Sequence, residues 1–508
     1  MEEESPPHAD LVRKRNERFL ETEHLRTDLQ GRSFRGGVVT LGCQAAKFLL
    51  GLASTAALAR LLRPQDFGLL AMVTSITAFV HLFKDLGLSS ATVQRAQVTQ
   101  EQVSFLFWVN VALSLAATLV VLSLGPVIAW FYHEPRLRWV TTALALNFVF
   151  SGLIVQHQAL LRRQMQFKAL AVRDVVATAC GIATGITLAW LGFGYWALVA
   201  VVITTNVTGS LLIWVICDWR PSRFRRRVGA RAMLTFGGHL TAFNALNHLT
   251  ANFDNILIGR VLGPALLGIY TKSYGLLMLP ISQINMPMAS VMLPGLSRLQ
   301  EDPSEYERLF TNALRAIALA TVPIVVFSFF LSRDIVLVLL GPRWLSVAPM
   351  FQLMAPAALF GSISFAPGWL CQSLGRSHRQ LHYALVSTPI FIAGFLIGIK
   401  WGIAGVAVSY SITYSICFWV YLWYSSKESP VGFSDIAVTF VSAFLPSLIG
   451  GGVVWALRRS LANDLRPFVA LILLGLIFGL IYMAGAALTP KNRALMASGI
   501  VSLKKFRT

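Results

Sequence analysis

The sequence predicts an all-α polytopic membrane protein with about fourteen transmembrane helices, and two observations lead to this fold class. The chain of 508 residues is 55% hydrophobic and only 13% charged, with a mean hydropathy of +0.63. A soluble protein of this length keeps about a quarter of its residues charged. The apolar residues are gathered into long blocks such as Val111–Trp130 and Phe468–Leu488, and about 20 apolar residues are enough to cross the hydrocarbon core of a bilayer.

The membrane spans are predicted from apolar runs that lie between charged or Gly/Pro-rich breaks. The predicted ranges are 36–58, 67–92, 104–131, 139–160, 171–191, 194–216, 234–258, 266–293, 310–331, 346–373, 381–399, 402–424, 436–457 and 467–488. Because their number is even, both termini are expected on the same side of the membrane. The connecting segments are short, and the longest outward loop is predicted at Ser332–Leu345. No soluble catalytic domain is therefore expected.

The net charge of +20 is explained by the orientation of the chain. Most of the lysines and arginines fall in alternate connecting segments, and positively charged loops face the cytoplasm. Both termini are therefore predicted to be cytoplasmic, with basic tails at 1–33 and 491–508 and a basic loop at 218–233. This distribution argues against a nucleic-acid partner. The five cysteines form no C-x-x-C pair, so neither a disulfide framework nor a metal site is predicted.

An internal repeat divides the predicted spans into two halves. The pattern R-x-L-x-P-x-x-x-G occurs at Arg60–Gly68 and again 200 residues later at Arg260–Gly268. Each copy connects an odd-numbered span to the next span. The repeat predicts two parallel six-helix lobes, 34–217 and 234–425, followed by two further helices in 426–490. In transporters built this way the substrate site lies between the halves, which alternate in giving access to it.

Polar residues inside the predicted spans concentrate in the first, second, seventh and eighth. An ionisable group at the bilayer centre costs about 2.5–3.5 kcal/mol on insertion scales, so it suggests a functional site. Three lysines and few acids predict a cationic cavity and an anionic substrate such as a diphosphate headgroup. The predicted cavity residues are Gln44, Lys47, Lys84, Lys272, Asn244, Asn247, Gln283 and Asn285. The predicted ion-coupling residues are Asp85, Asp254 and His248, and no metal site or cofactor is expected beyond a proton or sodium gradient.

Each of these assignments has a structural alternative. Lys84 and Asp85 can pair with each other or lie at the cytoplasmic interface, and Asp254 can pair with Arg260. The asparagines of the seventh span can simply form hydrogen bonds between helices. Three prolines along the eighth span predict kinks that serve either as a gate or as static packing features. They are Pro280, Pro287 and Pro294.

Several short motifs, taken in order along the chain, resemble those of a known family. They are Ala59-Arg60-Leu61-Leu62-x-Pro64-x-Asp66-Phe67-Gly68, Asp85-Leu86-Gly87-Leu88, Asp254-x-x-x-Ile258-Gly259-Arg260-x-Leu262-Gly263 and Gly268-x-Tyr270. Together they are similar to the Wzx-type O-antigen, capsule and exopolysaccharide flippases of the multidrug/oligosaccharidyl-lipid/polysaccharide exporter superfamily. The resemblance extends over roughly residues 34 to 490. The matched residues lie at helix ends and turns, so no substrate contact is carried over from the family.

The resemblance implies a flippase that moves polyprenyl-diphosphate-linked oligosaccharide repeat units across the bacterial inner membrane by alternating access. It implies membrane lipid as surroundings, and a polysaccharide polymerase and export machinery as partners. It implies no hydrolysis of nucleotide, which agrees with the absence of a G-x-x-x-x-G-K-[ST] motif from the sequence. Three alternatives are a drug or cation antiporter of the same superfamily, a polytopic polysaccharide polymerase or ligase, and a scaffold that does not transport. The short outward loops disfavour the enzyme, and the lysines disfavour the antiporter.

Overall fold

The computed structural model describes residues 19–20, 29–83, 89, 92–93, 98–222, 251–460 and 464–495. Within these ranges all regular structure is helical, and eleven stretches are long and apolar enough to cross a membrane. One of these stretches, His378–Ser426, contains two helices that a 3₁₀ turn at Ile399–Trp401 separates. The predicted fold class, an all-α integral membrane protein with many spans, is confirmed.

The helices are numbered here in chain order. They are α1 Leu29–Leu61, α2 Pro64–Phe83, α3 Gln100–Tyr132, α4 Arg136–Gly152, α5 Val155–Arg163, α6 Phe167–Trp190, α7 Tyr195–Ile216, α8 Pro264–Arg298, α9 Pro303–Phe330, α10 Ser332–Leu339, α11 Val347–Gly361, α12 Phe365–Ser373, α13 Ser377–Gly398, α14 Gly402–Ser426, α15 Phe433–Ser460 and α16 Pro467–Ala486. A further helical segment, 251–262, precedes α8. It is the described part of the seventh predicted span, because residues 223–250 lie outside the described ranges.

The chain divides into two compact units, Met1–Leu267 and Gly268–Thr508. The first unit has an aromatic and aliphatic core that includes Phe107, Leu160 and Trp219. The second has a larger core around Phe310 and Trp369. A separate cluster packs α16 against its own unit through Leu474, Phe478 and Tyr482, together with Phe327 of α9. The predicted location of a cavity between the two halves stays a prediction.

Both copies of the repeated motif form the turn between two helices. In the first copy α1 ends at Leu61 and α2 begins at Pro64, a position that suits proline because the first N–H of a helix has no partner within the helix. The carboxylate of Asp66 accepts a hydrogen bond from the main-chain N–H of Arg63 at 2.9 Å. In the second copy Gly263 has a φ of +85° and Pro264 begins α8. The predicted role of the motif as a helix connector is confirmed.

The two copies of the motif also touch each other. A Cβ atom on Gly68, the last residue of the first copy, would overlap the main-chain carbonyl of Pro264 in the second copy. The absence of a side chain therefore lets the beginning of α2 approach the beginning of α8 at main-chain distance. The glycine of the motif thus has a packing function as well as a place in a turn.

Two of the predicted spans correspond to stretches that are long and apolar enough to cross a membrane, Arg136–Arg163 and Val347–Ser373, but a short turn interrupts each helix. The predicted range 139–160 consists of α4 and α5, and the predicted range 346–373 consists of α11 and α12. In both cases the first helix ends at a glycine, Gly152 or Gly361, and glycine is unfavourable in a helix interior by about 1 kcal/mol. The two breaks fall at equivalent places in the two halves of the repeat.

The predicted outward loop Ser332–Leu345 is also corrected by the structure. It contains the short helix α10 and a 3₁₀ turn at Pro342–Trp344. Asp334 of α10 is 5% exposed, and its carboxylate accepts two hydrogen bonds from Arg458 of α15, at 2.8 and 3.0 Å. This paired charge and the buried side chain of Trp344 hold the segment against the rest of its unit, which explains why its apolar residues fold instead of forming a loop.

The three prolines of the eighth predicted span lie inside α8, which is assigned as one helix from Pro264 to Arg298. The missing N–H groups of Pro280, Pro287 and Pro294 therefore do not end the helix. The role of this helix as a gate stays a prediction.

In the first unit, α6 and α7 pack closely because two glycines of α6 face α7. A Cβ atom on Gly181 would overlap the side chain of Thr205, and one on Gly185 would overlap Val201 and lie 3.2 Å from the carbonyl oxygen of Ala197. Small residues four apart are a common means of bringing transmembrane helices together.

The second unit repeats this arrangement in α13 and α14. A Cβ atom on Gly394 would lie 2.8 Å from the hydroxyl of Thr413, and one on Gly398 would lie 2.6 Å from the carbonyl oxygen of Gly405 and would also overlap Ser409. The glycines are again four residues apart and again face the following helix. The fifth and sixth predicted spans of each half therefore meet through the same pattern of small residues.

Candidate functional site

The strongest candidate site in the described residues is built on Lys47 of α1. Its ammonium group lies 3.2 Å from the carboxylate of Asp174 on α6 and donates a hydrogen bond to it. The two side chains are 35% and 38% exposed, so the pair is accessible although both residues lie in helices predicted to span the membrane. Lys47 was a predicted cavity residue. The structure adds the acid that it contacts.

Arg173 completes what is called here the ion cluster, namely Lys47, Arg173 and Asp174. The guanidinium of Arg173 donates to the second carboxylate oxygen of Asp174 at 2.8 Å and to the main-chain carbonyl of Gly209 on α7 at 2.9 Å. Its side chain is 11% exposed. The terminal guanidinium nitrogen also lies 2.7 Å from where a Cβ of Gly209 would be, so the absence of a side chain at this residue makes room for the arginine.

The ion cluster carries a net charge of +1, because two cations share one carboxylate. Asp174 holds both cations, and α1, α6 and α7 are joined by these contacts. A second anion that enters the cluster would find an ammonium group with three donors and a guanidinium with several. Hydrogen bonds between such cations and phosphate are short and stronger than neutral ones. The arrangement is suited to binding an anion, with Asp174 as the group that the anion displaces or joins.

A second polar group in the first unit is closed to ligands. The side chain of Gln156 on α5 accepts from the hydroxyl of Thr92 at 2.9 Å and donates to the side chain of Asn110 on α3 at 2.8 Å. All three residues are completely buried. Arg163 donates to the main-chain carbonyl of Thr92 at 3.3 Å. Buried polar groups that satisfy one another in this way stabilise a unique packing of the helices, so this network is assigned a structural role.

The remaining predicted residues occupy different environments. Gln44 is exposed on α1, three residues before Lys47, and Gln283 is exposed on α8. Lys272 is half-buried on α8. Asn285 is 1% exposed and donates to the main-chain carbonyl of Ser362 at 3.0 Å, whereas its side-chain oxygen is buried without a hydrogen-bond partner.

The three residues predicted for ion coupling cannot all be placed. Asp254 is buried, and its carboxylate accepts from the main-chain N–H of the next residue at 2.8 Å. Asp85 and His248 lie outside the described residues, and so do three predicted cavity residues, Lys84, Asn244 and Asn247. Within the described part of the chain there is no group of three or more histidines, cysteines or acids that could hold a metal ion.

Sequence reasoning missed Arg173 and Asp174. Both residues lie at the beginning of the fifth predicted span, 171–191, and neither is among the predicted site residues. The signal that could have identified them is an adjacent Arg-Asp pair at the edge of an apolar run. An arginine alone can extend its charged group to the membrane interface. An adjacent aspartate does not do so, and its presence therefore indicates a partner inside the protein.

Comparison with known proteins adds a family and a fold. Residues 57–349 match the sequence family described as "Polysaccharide biosynthesis protein". The chain is 24% identical over 355 residues to the lipopolysaccharide biosynthesis protein WzxC of Escherichia coli (strain K12), with 69% of this chain and 71% of WzxC covered.

It is 25% identical over 353 residues to the teichuronic acid biosynthesis protein TuaB of Bacillus subtilis (strain 168), with 65% and 71% covered. Among solved structures, its fold is similar to that of the lipid II flippase MurJ in an inward closed conformation, with a TM-score of 0.70. That similarity covers 90% of this chain and 98% of the other at 15% sequence identity, so it concerns the fold. The family predicted from the motifs, one of polysaccharide biosynthesis proteins, is confirmed.

Proposed function

Because the chain belongs to the family of polysaccharide biosynthesis proteins, we propose that it is a flippase for polyprenyl-diphosphate-linked oligosaccharide repeat units. The observation that carries this proposal is the ion cluster, which places a net positive charge at an accessible point in membrane-spanning helices. The diphosphate is the anionic part of such a substrate. The relatives are named for different polymers, lipopolysaccharide and teichuronic acid, so the sugar itself is not assigned.

In this mechanism the diphosphate competes with Asp174 for Lys47 and Arg173. Before the substrate enters, the carboxylate keeps the two cations in position and reduces the cost of placing them in the membrane. When the diphosphate arrives, it takes over the ammonium group of Lys47, and the exposed amide of Gln44 lies near enough along the same helix to meet a further oxygen. The polyprenyl chain stays in the lipid throughout.

Energy for the cycle comes from a proton or sodium gradient, and no nucleotide is hydrolysed. Asp254, buried in the helical segment 251–262, is the acid to which coupling is assigned. We place both termini in the cytoplasm of a bacterium, with the polysaccharide polymerase and export machinery as later partners of the product. Transport follows the alternating access that the internal repeat predicts.

The proposal is tested by deleting the gene in its host and measuring lipid-linked oligosaccharides by mass spectrometry together with surface polysaccharide. Loss of surface polymer with accumulation of polyprenyl-diphosphate-linked repeat units on the cytoplasmic leaflet supports the flippase. The deletion strain is then complemented with Lys47→Ala, which is expected to restore little polymer, and with Lys47→Arg, which keeps the charge and is expected to restore part of it. Lys400→Ala, at an exposed residue in the turn between α13 and α14, is the control.

Each other outcome favours a different function. If repeat units reach the outer leaflet but are not polymerised, the protein is a polymerase or ligase. If neither pool changes, a drug or cation antiporter is the better assignment. A Lys47→Ala variant that is produced normally and restores all of the polymer would leave the ion cluster without a role in transport and would favour a scaffold.

A further inference from the structure

One end of the second unit, where α10, α15 and α16 meet, carries a group of arginines. They are called here the arginine patch and consist of Arg333 of α10, Arg458 and Arg459 near the end of α15, and Arg466 directly before α16. The predicted orientation places this end of the helices outside the cytoplasm, where the positive-inside rule expects few cations. Four arginines there depart from the pattern that predicts the orientation, and they need an explanation.

The arginines lie close together because they surround one end of a single buried cluster. This cluster includes one residue from each of the three helices or its N-cap, namely Leu331, Val454 and Ala470. Arg333 is two residues beyond the first of these, Arg458 is one helical turn beyond the second, and Arg466 is one turn before the third. The main-chain carbonyl of Arg466 accepts the hydrogen bond of that turn at 3.0 Å. The patch is therefore a local feature of the second unit.

One arginine of the patch is engaged in the fold, and three are not. Arg458 donates two hydrogen bonds to the carboxylate of Asp334, at 2.8 and 3.0 Å, and this pair fixes the end of α15 against α10. Arg333, Arg459 and Arg466 are exposed. Within the described residues none of these three side chains forms an ion pair. Their charges are thus available to an external anion.

The charge balance of the patch is positive. Two aspartates, Asp334 and Asp464, accompany the four arginines, which leaves a net charge of +2. Asp334 is buried and already paired with Arg458. Asp464 is exposed, so it offers one carboxylate to a region with three exposed guanidinium groups. The patch therefore carries more positive charge than its own acids neutralise.

Arg466 increases this excess because of its place in α16. It is the N-cap of the helix, and the first turn contains no acidic residue. The N-terminus of a helix has a partial positive charge, so a cation there is unfavourable and an anion is favourable. In the same unit, α9 shows the usual arrangement, since its N-cap Asp302 accepts from the main-chain N–H of Glu305 at 3.1 Å. The beginning of α16 thus has the opposite charge from a normally capped helix.

The apolar residues beside the patch indicate its depth in the membrane. The guanidinium carbon of Arg459 lies 5.1 Å from the centre of the Trp455 ring, which is itself exposed. Tryptophan is enriched at the interface between membrane and water. On α16, Phe468 follows Arg466 by two residues and is 62% exposed. The guanidinium groups therefore lie just beyond side chains that face lipid, at the level of the lipid phosphates.

We propose that the arginine patch binds the headgroup of an anionic phospholipid such as phosphatidylglycerol, whose acyl chains lie along the exposed apolar side chains of α15 and α16. The bound phosphate neutralises the excess charge where α10, α15 and α16 meet. This inference does not rest on the proposed function, because the site is separate from the ion cluster and is independent of what the chain transports.

The chemistry of the patch favours this ligand over two others. Guanidinium groups form paired hydrogen bonds with phosphate oxygens, and phosphate also suits the main-chain N–H groups at the start of a helix. In phosphatidylcholine and phosphatidylethanolamine a cationic group neutralises the phosphate, so arginines gain less from them. An acidic segment of another protein would match the charge, but not the apolar side chains that lie directly beneath it.

The test compares two photoactivatable lipids, phosphatidylglycerol and phosphatidylcholine, each with a diazirine near the carboxyl end of one acyl chain. Full-length protein in phosphatidylcholine nanodiscs that contain a small, equal fraction of either probe is illuminated, digested and analysed by peptide mass spectrometry. The peptide that contains Phe468 is expected to be labelled more strongly by the phosphatidylglycerol probe. Each exposed arginine should contribute about fivefold to this preference.

Variants of the exposed arginines locate the site. Arg459→Gln and Arg466→Gln are each expected to lower the preference about fivefold, and the triple variant that adds Arg333→Gln should be labelled equally by both probes. The corresponding triple lysine variant keeps the charges and should keep most of the preference. It shows that a loss in the glutamine variant comes from the charge and not from misfolding. Lys400→Gln, at an exposed cation in the turn between α13 and α14, should change nothing.

The outcomes decide between the possible partners of the patch. A preference that is lost with glutamine and kept with lysine supports the lipid site. Equal labelling of the wild-type protein by both probes overturns it and favours an acidic protein segment as the partner. A preference that survives the triple glutamine variant also overturns it, because other cations of the chain then attract the lipid. The flippase proposal is tested separately, by the accumulation of repeat units.

Discussion

The fifth and sixth predicted spans of the two halves, α6–α7 in one unit and α13–α14 in the other, pack in the same way but present different chemistry. Gly181 and Gly185 face α7 as Gly394 and Gly398 face α14. Where α6 has Arg173 and Asp174, the equivalent residues of α13 are Val386 and Ser387, 213 positions further on as the glycines are. The small residues that join the helices are the same in both halves, and the charges are not.

The difference also holds in the other direction. The glycine contacts on α7 and α14 are related by 208 positions, so Tyr410 and Tyr414 correspond to Val202 and Asn206. The first unit therefore has a charged cluster and no rings at these places, whereas the second has rings and no charges. The duplicated helix pair has kept its packing residues, whereas the residues on its other faces differ between the two halves.

The largest effect is expected from valine at the packing glycines. Gly185→Val would overlap the side chain of Val201 and crowd the main-chain carbonyl of Ala197, and Gly398→Val would press on the main-chain carbonyl of Gly405. Because main chain cannot move aside as a side-chain end can, both variants should fail to accumulate as folded protein, measured by fluorescence-detected size-exclusion chromatography. Gly479→Ala, where a Cβ would meet nothing within 4 Å, is the control. If only one of the two valine substitutions reduces the amount of folded protein, the two helix pairs do not pack in equivalent ways.

A smaller effect, and one on function, is expected from Asp174→Asn. The substitution removes the negative charge and leaves Lys47 and Arg173 to an incoming anion. Citronellyl diphosphate, a short-chain analogue of the proposed substrate, should therefore bind about tenfold more tightly to the protein in lipid nanodiscs, which corresponds to about 1.4 kcal/mol. Transport should nevertheless fall, because release of the anion becomes slower. The folded state should lose no more than about 1 kcal/mol, since Asp174 is 38% exposed and partly exposed ion pairs contribute little.

Asp334→Asn is the matched control, because Asp334 pairs with Arg458 but is nearly buried. There the thermal unfolding temperature should fall by several degrees, since breaking a buried pair costs about 3–5 kcal/mol, while the affinity for citronellyl diphosphate stays the same. If Asp174→Asn resembles Asp334→Asn in both measurements, the ion cluster is a structural pair and the contrast between the units loses its functional meaning.

The smallest effect is expected from Gly209→Ala. The added methyl group would meet the end of the Arg173 side chain, which is flexible and can shift, so the ion cluster should be disturbed but not lost. We expect citronellyl diphosphate to bind two- to fivefold more weakly, on the order of 0.5–1 kcal/mol. Cys417→Ala, at the equivalent place on α14, should not change this affinity. An unchanged Kd for Gly209→Ala would show that the hydrogen bond to α7 is not needed for anion binding.

The sequence alone predicted the fold class, the family and one member of the ion cluster. Hydropathy identifies spans because a polar residue in lipid is costly, and this cost is why Lys47 was noticed among apolar neighbours. The same reasoning could not find Asp174, since its partner is 127 positions away and pairing between distant helices leaves no periodic signal. It also passed over Tyr410 and Tyr414, which count as hydrophobic residues in composition.

The helix breaks after Gly152 and Gly361 were not predicted for a related reason. A short irregular stretch between two apolar helices changes the mean hydropathy of a window very little, and glycine is tolerated in many membrane helices. Comparison of the two halves would have helped, because the breaks occur at equivalent places. The similarity of the two halves therefore extends beyond the R-x-L-x-P-x-x-x-G motif and includes the positions of the helix breaks.

The contact between Gly68 and Pro264 has a consequence for how this chain can change over time. Two copies of a duplicated segment usually drift independently, but here the last residue of one copy has no room for a side chain because the other copy occupies that space. A substitution that adds a side chain at Gly68 would therefore collide with the second copy of the same motif. For the same reason, a gene split between the two halves would leave each product with its own helix connector but without the copy against which that connector packs.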